Sequence, residues 1–209
     1  MNYKSLSSNV IACENFLPIQ KVEELYIDLL NRRKIFNIPS WSINNAIKQE
    51  LFSEHCGGLD FWIEGQDVKN EASIESLYKW FFHQGFKYFR KEHGSEAYQF
   101  LEPPNNLHWN IHVISYNNGG YYNWHKDMGG QGNVFTFNLI LNKSNKLKGG
   151  EMLFMDDGKI IEVDNQDNYM VCFPSFIPHA IKPVYTEDNK DVSFLEQRFS
   201  IQFWVRLNL

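Results

Sequence analysis

From His108 onward, short β-branched and aromatic segments alternate with clusters of Gly, Asn and Asp, and this rhythm restricts the fold more than any other feature of the chain. It predicts strands near 108–117, 121–127, 133–142, 150–155, 159–163, 168–173, 176–184 and 197–207. Asp156-Asp157-Gly158, between MLFM and KIIEV, is a hairpin signal, so neighbouring strands run antiparallel. About eight short strands of this kind form a sandwich or jelly-roll barrel. An aromatic content of 16% suits such a sheet.

The first half reads differently. Val22, Leu25, Tyr26, Leu29 and Leu30 recur at helical spacing over 18–32, with Pro18 suited to the first turn. Further helices are expected at 42–52 and 73–91, the latter with Leu77, Trp80 and Phe81 on its apolar side. No repeat, low-complexity tract or Pro/Ser-rich linker divides the halves. The chain is therefore expected to be mainly β with N-terminal helices, a single domain over 1–209. Within it, 1–104 is a helix-rich support region and 105–209 the β core.

A net charge of -5 gives no electrostatic reason to bind a polyanion, so no nucleic-acid partner is expected. Basic runs at 31–34 and 87–91 read as solvated helix ends. Three cysteines, Cys13, Cys56 and Cys172, are far apart and lack a C-x-x-C pair, which suits a reducing compartment. Neither a leader pattern nor an apolar run near the roughly 20 residues of a membrane span is visible. A cytoplasmic protein without a membrane partner is the expectation, and the oligomeric state is open.

His125-Lys126-Asp127 carries the first chemistry. On a strand, His125 and Asp127 share a face while Lys126 points away. An imidazole and a carboxylate so held are two thirds of a two-His, one-carboxylate triad, the donor set of non-haem Fe(II) sites with open positions. A polar corner before the glycine-rich stretch 129–132 explains H-x-D equally well. His179, in a late strand, is the best candidate for the third ligand, since His55, His83 and His93 lie in the helical half and His108 and His112 precede H-x-D. Iron loading should then fade below about pH 6 as imidazoles protonate near their usual pKa of about 6.5.

The strand Arg198-Phe199-Ser200-Ile201-Gln202-Phe203-Trp204 places Arg198, Ser200 and Gln202 on one face and Phe199, Ile201 and Phe203 on the other. A buried guanidinium is costly unless paired, and it is suited to bidentate contact with a carboxylate. Lys182 is a rival cation, although only three residues from His179 it should face away. Arg206 shares the face of Arg198 but lies about 26 Å along the strand at roughly 3.3 Å per residue. Asn138 shares a face with Thr136 and either lines a cofactor pocket or is a satisfied core group.

Taken together, Tyr116-Asn-Asn-Gly-Gly-Tyr-Tyr-Asn-Trp-His125-Lys-Asp127, Leu141-Asn142 leading to Gly149-Gly150-Glu151, Phe173-Pro174-Ser175 before His179, and Arg198-Phe199-Ser200 form an ordered set. It resembles the iron(II) and 2-oxoglutarate-dependent dioxygenases, in particular their prolyl-hydroxylase-like branch, over about residues 105–207. The resemblance implies a double-stranded β-helix (jelly-roll) core packed by α-helices, with His125, Asp127 and His179 binding Fe(II). It further implies that Arg198 and Ser200 bind the remote carboxylate of 2-oxoglutarate and that Tyr116 lines its pocket. Co-substrates would be 2-oxoglutarate and O2, with ascorbate as a further reductant. Relatives that transfer halide lack the carboxylate that Asp127 supplies here. The interval from His179 to Arg198 is longer than the family shows and reads as an extended hairpin tip around 186–191.

The implied reaction couples decarboxylation of 2-oxoglutarate to hydroxylation of a substrate C–H, with a protein or peptide side chain such as proline as the leading substrate. The alternatives are a free amino acid or other small molecule as substrate, or a non-redox cupin-like barrel that binds a metal or small acid.

Overall fold

The computed structural model describes residues 2–36, 58–64, 107–128, 132–144 and 146–207. The helices expected at 42–52 and 73–91 lie outside these residues, as do Cys56 and residues 129–131 of the glycine-rich stretch. The chain runs through β1 (Asn2–Ser5), β2 (Ile11–Glu14), helix α1 (Ile19–Asn31), β3 (Leu59–Glu64) and β4 (Leu107–Tyr116). It continues through β5 (Tyr122–His125), β6 (Asn133–Leu141), β7 (Lys148–Gly149), β8 (Met152–Asp156) and β9 (Lys159–Val163). Strands β10 (Tyr169–Pro174), β11 (His179–Ile181), β12 (Val184–Tyr185) and β13 (Arg198–Leu207) follow.

Seven described strands form one antiparallel sheet in the order β1-β2-β10-β6-β13-β4-β3, and four form another in the order β5-β11-β8-β9. The large sheet is buried on both faces. Its outer face, with Val113, Leu139, Phe199 and Ile201, packs on Val22, Leu25 and Leu29 of α1. Its inner face, with Ile114, Ile140, Val171 and Phe173, meets Met152, Phe154 and Ile181 of the small sheet. This is the expected jelly-roll core. Each large apolar side chain so enclosed stabilises the fold by about 1.5–3 kcal/mol.

Burial on both faces explains why β10 is buried at every residue and β6 at all but one, so that polarity, not exposure, marks the inward positions. His112, Thr136, Asn138, Arg198, Ser200 and Gln202 are all buried there. The Asp157-Gly158 turn has positive φ at both residues, 48° and 72°, as the two-residue β8–β9 hairpin requires.

Two expectations need correction. Leu30 is 45% exposed, because α1 buries the narrower stripe Val22, Leu25, Tyr26 and Leu29. The first 104 residues also supply β1, β2 and β3, where only helices were foreseen. Short segments such as IACE carry little periodic signal, and pairing decides them: Ala12 lies opposite Val171 of β10. No helix among the described residues is long and apolar enough to cross a membrane.

Candidate metal and oxo-acid site

His125 ends β5 and His179 opens β11, and the two strands pair with these residues in register. Asp127 is not on a regular strand, as H-x-D spacing suggested, because β5 stops at His125. Its backbone is held separately: the N–H donates to Ser175 O at 3.0 Å, and the carbonyl accepts from Asn133 Nδ2 at 2.7 Å. The carboxylate still turns to the same point. Asp127 Oδ1 lies 3.5 Å from His125 Nε2 and Oδ2 lies 3.5 Å from His179 Nε2. One ligand atom from each of the three residues lies within 4.8 Å of the others.

The protons of this cluster are placed by its neighbours. His125 Nδ1 faces Asn123 O at 2.8 Å, and His179 Nδ1 faces Ile177 O at 3.0 Å. A carbonyl only accepts, so each Nδ1 carries the proton and each Nε2 presents a lone pair. Neither Nε2 has a hydrogen-bond partner, although both are buried. Thr136 Oγ1 donates to Asp127 Oδ2 at 2.6 Å, which fixes the carboxylate. Tyr122 stacks on the His125 ring at 3.8 Å, and Phe173 packs on His179 at 4.6 Å. Two lone pairs and a carboxylate therefore face one another with no proton between them, an arrangement that repels itself until a cation occupies its centre. A divalent metal fits this donor set, and the second partners on Nδ1 are those that orient metal-binding imidazoles.

The electrostatics agree. Burial pushes His125 down to about 4, helped by repulsion from His179, and burial alone does the same to His179. Burial raises the Asp127 carboxyl. The imidazoles are thus neutral well below the pH 6 limit expected from sequence. Between about pH 5 and 6.5 the two imidazoles therefore hold no proton for a metal to displace, and the Asp127 carboxyl is at most one titrating ligand. A plot of log affinity against pH in that window should have a slope of about one at most, where two titrating imidazoles would approach two. Chelator competition at stepped pH measures it, and a slope near two would show that the imidazoles titrate as in water.

Asp127→Asn should separate stability from binding. The amide would keep an oxygen for Thr136 and offer N–H to an imidazole lone pair, removing the repulsion. Metal binding should be lost while the metal-free protein gains about 1–3 kcal/mol, the scale of repairing a buried unsatisfied group. Urea denaturation without metal checks this. A destabilised variant would mean that the cluster is not strained.

Arg198 is fully buried, and burial lowers its pKa to about 10. Its Nε donates to Gly150 O and to Asn165 Oδ1, each at 3.0 Å, and its Nη1 donates to Ser200 Oγ at 2.7 Å. Nη2 has no partner, and the guanidinium lies 5.2 Å from the centre of the Tyr116 ring. This is a cation aimed, held and left short of a carboxylate. Gly150 is required beneath it: at φ +75° an added Cβ would sit 2.8 Å from Asn165 Nδ2 and 3.0 Å from Arg198 Cδ.

The rival cations are engaged elsewhere. Lys182 bonds Glu162 at 2.6 Å on the surface, and Arg206 donates to Asn133 at 2.9 Å. The long interval before Arg198 contains β12, which pairs with β7, and a 3-10 turn at Phe194–Glu196 closed by a Ser193/Glu196 capping box. Asn117 and Asn118 grip this excursion through the Val192 N–H at 2.9 Å and the Thr186 N–H at 3.0 Å. The insertion is therefore tied down outside the barrel and leaves Arg198 in the interior.

The structure gathers His125, Asp127 and His179 at one point, and Arg198, Ser200 and Tyr116 at another. Asn138 lies on the inner face, donating Nδ2 to Met152 Sδ at 2.8 Å. Sequence reasoning missed Thr136 as the partner of Asp127, which its shared face with Asn138 hinted at. It also missed Asn165, a loop residue that carries no periodic signal.

The 2OG-Fe(II) oxygenase superfamily profile matches residues 111–206. Among solved structures, the chain is similar to a prolyl-4-hydroxylase from Pseudomonas putida, with 19% identity, TM-score 0.65, and 96% of this chain and 93% of that one covered. It is also similar to a prolyl hydroxylase from Trichoplax adhaerens in complex with a hypoxia inducible factor oxygen degradation domain peptide, with 19% identity, TM-score 0.67, and coverage of 96% and 84%. A viral collagen prolyl hydroxylase from Paramecium Bursaria Chlorella virus-1, in its 2OG complex, is similar at 14% identity and TM-score 0.55, with coverage of 96% and 97%. No curated protein sequence matches the chain.

Proposed function

We propose, from the match of residues 111–206 to the 2OG-Fe(II) oxygenase superfamily profile, that this chain is a dioxygenase that hydroxylates a protein or peptide side chain, proline being the leading candidate. His125, Asp127 and His179 would hold Fe(II); Arg198 and Ser200 would hold the remote carboxylate of 2-oxoglutarate, with Tyr116 beneath the guanidinium. When bound, iron and the oxo acid supply O2 activation coupled to decarboxylation, with oxidation of a substrate C–H. The chain's own part is to orient and exclude. Carbonyls of Asn123 and Ile177 keep the Nε2 lone pairs free, Thr136 fixes Asp127, and Gly150 and Asn165 aim Arg198.

One observation carries the reading: a three-ligand cluster and a buried guanidinium whose Nη2 has no partner occur inside the same barrel. Either alone has bland explanations, while together they suit a metal chelated by an acid with a distant carboxylate. The peptide held by the Trichoplax adhaerens enzyme supports a peptide substrate. The test is succinate release from Fe(II), 2-oxoglutarate and proline-containing peptides, with mass spectrometry of the peptide. Peptide-stimulated succinate and a gain of one oxygen are expected. Stimulation by free amino acids alone would move the substrate to the small-molecule class.

A further inference from the structure

Among the described residues, the buried polar atoms without a hydrogen-bond partner include His125 Nε2, His179 Nε2, Arg198 Nη2 and Asn138 Oδ1. The proposed metal and oxo acid account for the first three. Asn138 remains, at 0% exposure, and an orphaned amide oxygen in such a place is uncommon enough to need a reason.

Its position supplies one. Along the inner face of β6, Thr136 bonds the metal-side carboxylate of Asp127. Ile140 lies in register with Ser200, which bonds Arg198. Asn138 is the inward residue between them, opposite Gln202 of β13. A molecule that reaches from Asp127 to Arg198 has to pass it. A 2-oxo dicarboxylate dianion offers only acceptors, yet the amide spends its donor end on Met152 Sδ, a weak acceptor, and leaves its acceptor end unpaired.

We propose that Asn138 is a further binding residue for the oxo acid. On binding, its amide turns about χ2 and exchanges the Met152 contact for an N–H bond to a ligand oxygen. The proposal rests on the oxo-acid reading of the site and adds a donor between its two ends.

Anaerobic titration of the Fe(II) protein with 2-oxoglutarate, followed by the visible charge-transfer band, tests it, with chelator competition as the control on metal affinity. Asn138→Leu should weaken the oxo acid about tenfold, the worth of one hydrogen bond to a charged acceptor. Asn138→Asp, with no donor and a like charge, should weaken it about 100-fold, metal affinity unchanged in both. Met152→Leu conserves volume and removes the competing acceptor, so it should tighten the oxo acid about two- to threefold. That arm stands even where an Asn138 variant fails to fold. Parent-like binding in the Asn138 variants would overturn the proposal alone, as would unchanged or weaker binding in Met152→Leu. A parent protein with no band would overturn the oxo-acid reading with it.

Discussion

His179→Ala should leave a protein that no longer retains Fe(II), with affinity lowered by well over the roughly 10- to 100-fold that follows removal of a mere outer partner. The physical ground is the cluster's geometry: His179 supplies one of only two imidazole lone pairs and faces Asp127 Oδ2 directly. Its ring is also wedged against Phe154 and Phe173, so truncation opens a cavity and lowers stability for an unrelated reason. His179→Gln, which fills more of that space, separates the two effects. Metal binding to the folded parent should raise its Tm with metal concentration, since a ligand that prefers the folded state stabilises it by mass action. Neither variant should respond. A His179→Gln protein whose Tm still climbs with Fe(II) under anaerobic conditions would remove His179 from the ligand set.

The sequence made the site more legible than its scaffold, for reasons that differ residue by residue. Arg198 stood out because a cation at the head of a strand carrying Phe199, Ile201 and Phe203 has few tolerable explanations, and its full burial agrees. His125 and Asp127 were visible as an i, i+2 pair, yet the structure brings them together by another route. The strand ends, and Ser175 and Asn133 hold the Asp127 backbone instead. The Ser175 contact joins distant parts of the chain and the Asn133 contact spans a six-residue interval with no strand periodicity, so the strand pattern could show neither. The same holds for β1 and β2, four-residue segments that become strands only because β2 pairs with β10 and β1 with β2. Leu30 fits the helical spacing as well as Leu29 does; which one is buried depends on how α1 is rolled against the sheet. Periodicity reports the existence of a face, and packing sets its width.

Arg198→Ala should weaken 2-oxoglutarate by about 2–5 kcal/mol, the usual cost of removing one member of a buried charge pair, while Fe(II) affinity stays near that of the parent. The guanidinium is held by three donations, to Gly150 O, Asn165 Oδ1 and Ser200 Oγ, and only Nη2 is left over. That leftover donor distinguishes a ligand anchor from a structural arginine, which would have spent all its N–H groups on the protein. Arg198→Lys should rescue only in part, because an ammonium cannot keep the Gly150 and Asn165 contacts and still present a planar fork. Arg198→Met, which retains the apolar stem over Tyr116, controls for packing and should bind the oxo acid as poorly as the alanine variant. The anaerobic charge-transfer titration reads all three. Unchanged affinity in Arg198→Ala would leave no replacement: Arg198 is the one buried lysine or arginine among the described residues, Lys182 is committed to Glu162 outside, and Arg206 to Asn133. A dianion bound tightly without Arg198 would have to be held by the metal alone, and the mechanism would then lose its specificity for a dicarboxylate.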